Sequence, residues 1–492
     1  MRANGILMHL SSIPSPYGIG TMGQSAREFI DFLKKAGQKF WQILPVCPTS
    51  FGDSPYQSFS TFAGNPYFID LDELQKEGLL EVADFANINW GSDPAKVDYA
   101  AIYENRFEVL NKAFRKFAEN VPADYMKFCD EQKFWLDEYA VFMTLKDNNE
   151  GAAWSQWKNG LKKRDPEVMY LVNVLYEDKI EFWKFAQYYF YKQWNALLKY
   201  ANEKDVTIIG DLPIYVALDS ADVWANPEMF QLDANLVPTK VAGCPPDGFS
   251  ATGQLWGNPL YRWDVLAKDN YAWWVKRIEY ACKTYNVLRL DHFRGFESYY
   301  AIPYGATDAC VGKWEKGPGM ALFNAIEKTI GIQNIIAEDL GFLTEPVRAM
   351  LKESGFPGMK VLELAFDSRD DSSSEYLTHN FVPDCVAYVG THDNETINGW
   401  FETASKEDVE YAKEYLGITD MTDVNWKVMK ALWASIAEVT LVQAQDVLGL
   451  GSESRMNTPS SIGINWMFRA LPGSFNDALA EKLAMNMKIY QR

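Results

Sequence analysis

Short runs of apolar and β-branched residues recur at eight places along this chain, at 5–10, 40–45, 207–211, 287–291, 334–338, 359–365, 385–390 and 440–448, with helical stretches between them. Alternation of this kind argues for parallel strands joined by crossover helices. Eight is the number that closes a TIM barrel. The competing architecture, an open doubly wound sheet, wants a glycine-rich phosphate turn after an early strand, and none is present. A chain of 492 residues with 48% hydrophobic content can bury a core of that size. The predicted fold class is therefore α/β, a (β/α)8 TIM barrel.

A long insertion separates the second and third strands. It opens with a Gly/Ser/Pro/Tyr-rich loop at 51–64, and its amphipathic runs at 104–118, 131–145 and 182–198 predict helices. The aromatic cluster from Phe182 to Phe190 has the spacing of a buried helix face rather than of a sugar platform. The expected organisation is residues 1–50 as the first part of the barrel, 51–203 as a loop and mainly helical insertion subdomain, and 204–492 as the remainder of the barrel. A lid loop is expected near 244–260.

A formal net charge of -19 repels phosphate backbones and anionic lipid heads, which argues against nucleic-acid and membrane-surface roles and is indifferent to a neutral substrate. Six scattered cysteines form no CxxC pair or zinc spacing and read as reduced thiols. The short apolar run at 5–10 has neither a basic flank nor a small-residue cleavage pattern, and no apolar stretch reaches membrane-spanning length. The expectation is a cytoplasmic protein. Nothing in the residues speaks to oligomeric state.

Several of the apolar runs end in polar or ionisable residues: Asp211, Asp291, Glu338 and the triplet Thr391-His392-Asp393. In a barrel these positions share one rim, where catalytic groups collect. In Leu288-Arg289-Leu290-Asp291 the Arg and the Asp lie two apart, so both side chains point to one face of a strand. The guanidinium is expected to keep Asp291 ionised, as a nucleophile requires. Glu338 ends the apolar run Ile335-Ile336-Ala337. Partly desolvated there, it is expected to hold its proton near neutrality and serve as a general acid. Asp339 faces the other way in an extended chain and reads as a capping or loop acid. Asp393 is placed to hold sugar hydroxyls and His392 to donate to the same sugar, whereas His9 and His379 read as packing histidines.

These segments, with Gly210-Asp211-Leu212-Pro213, resemble the four signature regions of the α-amylase clan, in the spellings of the amylomaltase or disproportionating-enzyme family, the 4-α-glucanotransferases. Further likenesses are Gly52-Asp53-Ser54-Pro55-Tyr56-Gln57-Ser58, Gly64-Asn65-Pro66-Tyr67, the segment from Cys244 to Ser250, Gly253-Gln254-Leu255-Trp256-Gly257-Asn258-Pro259 and Arg455-Met456-Asn457-Thr458-Pro459. The resemblance runs from the first strand to the last loop. It implies Asp291 as nucleophile, Glu338 as acid/base and Asp393 as transition-state stabiliser. It also implies sugar contacts by Arg289, His392, Asp211 and Asn457, Tyr56 stacked on the sugar at the cleaved bond, and Trp256 and Asp247 on a loop over the cleft. No metal or other cofactor is implied. The partners would be malto-oligosaccharides, amylose or glycogen-derived glucans. The absence of a recognisable C-terminal β-sandwich fits this family and departs from ordinary α-amylases.

The expected reaction transfers an α-1,4-glucan segment to the 4-hydroxyl of an acceptor by a retaining double displacement, with the two working carboxyls about 5–5.5 Å apart. Three other readings compete: an α-glucan hydrolase with the same residues, a divalent-metal barrel enzyme liganded by Asp211, Asp291, Glu338, Asp393 and the adjacent histidines, and a non-catalytic glucan-binding protein.

Overall fold

The computed structural model describes residues 2–50, 52–246, 250–341, 343–368 and 373–492. Twelve strands are formed among them: β1 (Ala3–Leu7), β2 (Phe40–Gln42), β3 (Thr207–Leu212), β4 (Lys240–Cys244), β5 (Gln254–Pro259), β6 (Val287–Leu290), β7 (Ser298–Pro303), β8 (Lys313–Lys316), β9 (Ile335–Ala337), β10 (Gly358–Val361), β11 (Cys385–Tyr388) and β12 (Val439–Gln443). Eight of these make one parallel sheet in the order β10-β11-β12-β1-β2-β3-β6-β9. Each expected run contributes one of the eight, and chain order is preserved around the sheet. The two ends meet where the Ala337 N–H donates to the Pro357 carbonyl (3.0 Å) and the Met359 N–H to the Asp339 carboxylate (2.6 Å). Asp339 is thus neither a helix cap nor a loop acid. It closes the barrel seam, and Gly358 admits it, because a Cβ there would meet its carboxylate at 2.7 Å.

Alternation along the strands divides the apolar side chains into two bodies. Ile209, Ile336, Met359, Val361, Val386, Tyr388 and Leu441 fill the barrel interior. Ile6, Trp41, Ile208, Leu288 and Ala337 point outward and pack with the surrounding helices in the larger core. Each such aliphatic burial contributes about 1.5–3 kcal/mol, so register is strongly specified: a one-residue slip would exchange the two sets.

Two of the expected runs finish in helix rather than strand. Residues Leu362–Phe366 form a 3-10 turn and Ala444–Leu448 a short buried helix, which short apolar runs cannot distinguish from strand. Between β2 and β3 run four long helices, Tyr99–Ala118, Ala123–Asn148, Pro166–Leu175 and Glu177–Glu203. The last carries the aromatic cluster on its buried side, with Phe185 and Phe190 fully enclosed. Its Gln187 accepts from the Gly64 N–H (2.7 Å) and donates to the Gly64 carbonyl (2.8 Å). A Cβ on Gly64 would lie 2.0 Å from the Phe190 ring. That close approach pins the end of the loop that carries Tyr56.

A second sheet, antiparallel in the order β5-β4-β7-β8, is built from the segments that follow β3 and β6. Trp256 stands within β5 of this sheet, not on a free loop. After β12 the described chain is helical and irregular, with the helix Asp477–Tyr490 at its end and no β-sandwich. None of the helices among the described residues is long and apolar enough to cross a membrane.

Candidate active site

Register sets the rim. Asp211 lies opposite Arg289, and Leu212, Leu290 and Ala337 stand in one row across β3, β6 and β9. The next residues continue the ladder: the Asp291 N–H donates to the Leu212 carbonyl (3.1 Å) and the Glu338 N–H to the Leu290 carbonyl (2.9 Å). Asp291 and Glu338 therefore stand side by side at adjoining strand ends. Arg289, 4% exposed, places Nη1 at 2.7 and 2.6 Å from the two Asp211 oxygens and 3.0 Å from Asp291 Oδ1. The guanidinium occupies the space between these carboxylates, where a cation shared by both would have to sit. The Tyr56 hydroxyl donates to Asp211 Oδ2 (2.7 Å).

Arg289 divides its charge between two acids, and this changes the expectation for Asp291. Burial and the nearby Asp211, Glu338 and Asp393 carboxylates outweigh the Arg289 attraction and push Asp291 up to about 8. Its side chain keeps 27% of its surface open toward the cleft. Burial raises Glu338 as well, opposed by Arg289 and by two backbone donors. Those donors are the His292 N–H to Oε2 (2.7 Å) and the Leu340 N–H to Oε1 (2.9 Å). Two raised carboxyls in one enclosure titrate as a pair that keeps a shared proton at neutral pH.

The donor at His292 depends on an uncommon backbone, φ 50°, in the left-handed region. The ring behind it is enclosed, with its pKa lowered to about 4 by burial and by Arg294. It meets the Trp256 ring edge-on at 4.9 Å and 88°. Gln57 Nε2 donates to the Trp256 carbonyl (3.3 Å) and to Asn258 Oδ1 (3.0 Å), which ties β5 to the Tyr56 loop.

On the opposite side of the rim, Asn457 Nδ2 donates to Asp393 Oδ1 (2.6 Å). His392 Nε2 lies 3.4 Å from the same oxygen, and burial lowers the pKa of this ring. Tyr56 stacks on His392 with centroids 5.1 Å apart and planes at 13°. One Tyr56 face is therefore taken, and only the other can meet a ligand. His9 is buried edge-on against Phe68, as its packing role requires. His379 departs from expectation: it is exposed and bonds to the Tyr415 hydroxyl (2.9 Å).

A family model described as 4-alpha-glucanotransferase matches residues 8–473. A 4-alpha-glucanotransferase of Clostridium butyricum is 50% identical over 487 residues, covering 99% of this chain and 100% of that one. A 4-alpha-glucanotransferase of Thermus thermophilus is 44% identical over 486 residues, 96% of each chain. Among solved structures, the amylomaltase from Streptococcus agalactiae in complex with acarbose has a TM-score of 0.96 and 41% identity, with 100% of both chains covered. The chain belongs to the 4-α-glucanotransferase family.

The structure of this glucanotransferase gathers Tyr56, Asp211, Arg289, Asp291, Glu338, His392, Asp393 and Asn457 around one rim, with Trp256 facing it from β5. Asp247 lies outside the described residues. Sequence reasoning missed three contributors. The His292 peptide N–H is one, and nothing in a sequence announces a left-handed histidine. Trp466, tilted against both Tyr56 (5.8 Å) and His392 (6.1 Å), is another. The third is Arg455, visible only as the first letter of a loop motif.

Proposed function

We propose that this 4-α-glucanotransferase works through a covalent glucosyl-Asp291 ester. Asp291 attacks the anomeric carbon as the glycosidic C–O bond breaks, and Glu338 gives its proton to the leaving O4. The acceptor's 4-hydroxyl then loses its proton to Glu338 and displaces Asp291, so one α-1,4 bond is broken and one is made. The observation that carries this reading is the Arg289 guanidinium at 3.0 Å from Asp291, beside a Glu338 that no side-chain cation among the described residues touches. That asymmetry favours the negative charge on Asp291 and the shared proton on Glu338 within the pair. The two N–H donors leave each Glu338 oxygen a lone pair, so neither blocks that proton. Asp393, held by Asn457, would bind hydroxyls of the distorted sugar. Tyr56, Asp211, Arg289 and His392 would line the subsite beside it.

A related amylomaltase is solved with acarbose bound. We infer that this cleft takes α-glucans as well: malto-oligosaccharides, amylose or glycogen-derived chains, in the cytoplasm.

Transfer prevails over hydrolysis only if an oriented acceptor outcompetes water at tens of molar. Trp256, braced by the His292 ring next to the nucleophile, is placed to seat that acceptor. Trp256→Ala should raise the hydrolysis-to-transfer ratio, seen as extra reducing ends per glucose released.

Incubation with pure maltotriose tests the function. A product ladder of longer oligomers plus glucose, at constant reducing-end count and lost in Asp291→Asn, supports it. A rising reducing-end count from the first turnovers would make the enzyme a hydrolase.

A further inference from the structure

Arg455 touches none of the groups assigned to chemistry through their side chains, yet it holds the backbone of two of them. Its Nη2 donates to the Asp393 carbonyl (2.7 Å) and its Nε to the Asn457 carbonyl (2.9 Å). Its third arm, Nη1, faces Glu395 Oε2 at 3.2 Å. Glu395 is itself fixed, since its Oε1 accepts the Thr396 N–H at 2.9 Å. The Asn457 N–H donates to the His392 carbonyl (3.1 Å), which completes a double seam between the turn after β11 and the loop 455–457.

Asp393 needs that seam. Its side chain is 43% exposed, and Asn457 Nδ2 donates to its Oδ1 at 2.6 Å. A carboxylate so open gains little from packing, so its direction depends on where the two backbones stand. An error of 1 Å in such placement can cost about 100-fold in rate. A guanidinium supplies three donors in a rigid plane to three separate acceptors, which an ammonium on a flexible stem cannot do.

We propose that Arg455 is a positioning residue for Asp393, setting the carboxylate against the sugar ring in the transition state. The proposal rests on the reading of Asp393 as transition-state stabiliser. It predicts a loss confined to the chemical step.

The test uses the full chain and maltotriose. Arg455→Ala should lower kcat by about 10- to 100-fold and leave KM within about threefold, the pattern of an interaction made in the transition state. Arg455→Lys should stay impaired, whereas free guanidinium ion should restore at least about fivefold to the Ala variant, as the exposed edge of the site admits it. The deciding arm is the double variant. Added to Asp393→Asn, Arg455→Ala should cost less than about twofold more, because the group it positions is already gone. Losses that multiply in full would overturn the proposal, as would an unchanged kcat in Arg455→Ala beside an inactive Asp393→Asn. If Asp393→Asn itself keeps wild-type kcat, the reading of Asp393 falls instead. Should Arg455→Ala fail to fold, Arg455→Gln is read by the same criteria.

Discussion

At Asp291 one guanidinium serves two acids, and the proposed nucleophile is left less acidic than an isolated Arg–Asp pair would make it. Asp211 takes the closer contacts with Arg289, at 2.7 and 2.6 Å, and Asp291 the longer one, at 3.0 Å. The consequence appears in the pH dependence. In the proposed mechanism catalysis needs one proton on the Asp291–Glu338 pair: a second proton would quench the nucleophile, and loss of the last would remove the acid. With both carboxyls raised by burial, the alkaline fall of kcat/KM should lie well above the ordinary carboxyl range. A profile of kcat/KM on maltotriose between about pH 5 and 10 checks this, and a descending limb near pH 5 to 6 would contradict it. His292 gives a second prediction. Its φ of 50° suits Asn and strains a β-branched residue. His292→Val should lose about 1–2 kcal/mol more stability than His292→Asn, and more kcat too, because the N–H that holds Glu338 shifts. Thermal melts and steady-state rates of both variants measure it. The shared strand face of Arg289 and Asp291 was legible in sequence from their spacing of two, and the place of Glu338 from the apolar run that it ends. The left-handed turn at His292 was not, since the bond its N–H makes is to Glu338, far along the chain.

At the scale of elements, the eight barrel strands were legible because parallel strands buried on both faces read as continuous apolar runs. The antiparallel sheet was not. Its edge strand β8 reads Lys-Trp-Glu-Lys, and three of its four residues are exposed, so no apolar pattern marks it. Trp256 consequently looked like a lid-loop residue and stands instead in β5, supported from below by His292. A strand-borne tryptophan is a fixed wall of the cleft, which is why its removal is predicted to change the partition between water and acceptor while leaving binding elsewhere in the cleft intact. The closing seam between β9 and β10 also escaped notice, because a carboxylate rather than a full ladder completes it.

The whole molecule carries buried acids that catalysis does not use. Burial pushes Asp222 up to about 6, Asp446 to about 7 and Glu363 to about 8. A raised carboxyl binds more protons in the folded than in the unfolded chain, so its contribution falls as pH rises toward the folded value. Buried His9 and His292, lowered to about 3 and about 4, act in the opposite sense below their ordinary 6.5, where they resist protonation in the folded state. Above about pH 6.5 the unfolded-state histidines lose their remaining protons, and the titrating carboxyls set the trend. The melting temperature should therefore drop between about pH 6.5 and 8.5, and drop less in Glu363→Gln. A flat or rising melting curve series would contradict this.

The covalent step is the claim on which the catalytic account stands. Mixing Glu338→Gln with an α-maltosyl fluoride should form the ester without an acid, because fluoride leaves unaided, and should slow its breakdown for want of a base. Intact-protein mass measurement followed by peptide mapping should find one maltosyl unit, carried on the peptide containing Asp291. A label on Glu395 or Asp393, or rapid turnover of the fluoride with no labelled protein at any time, would contradict the account.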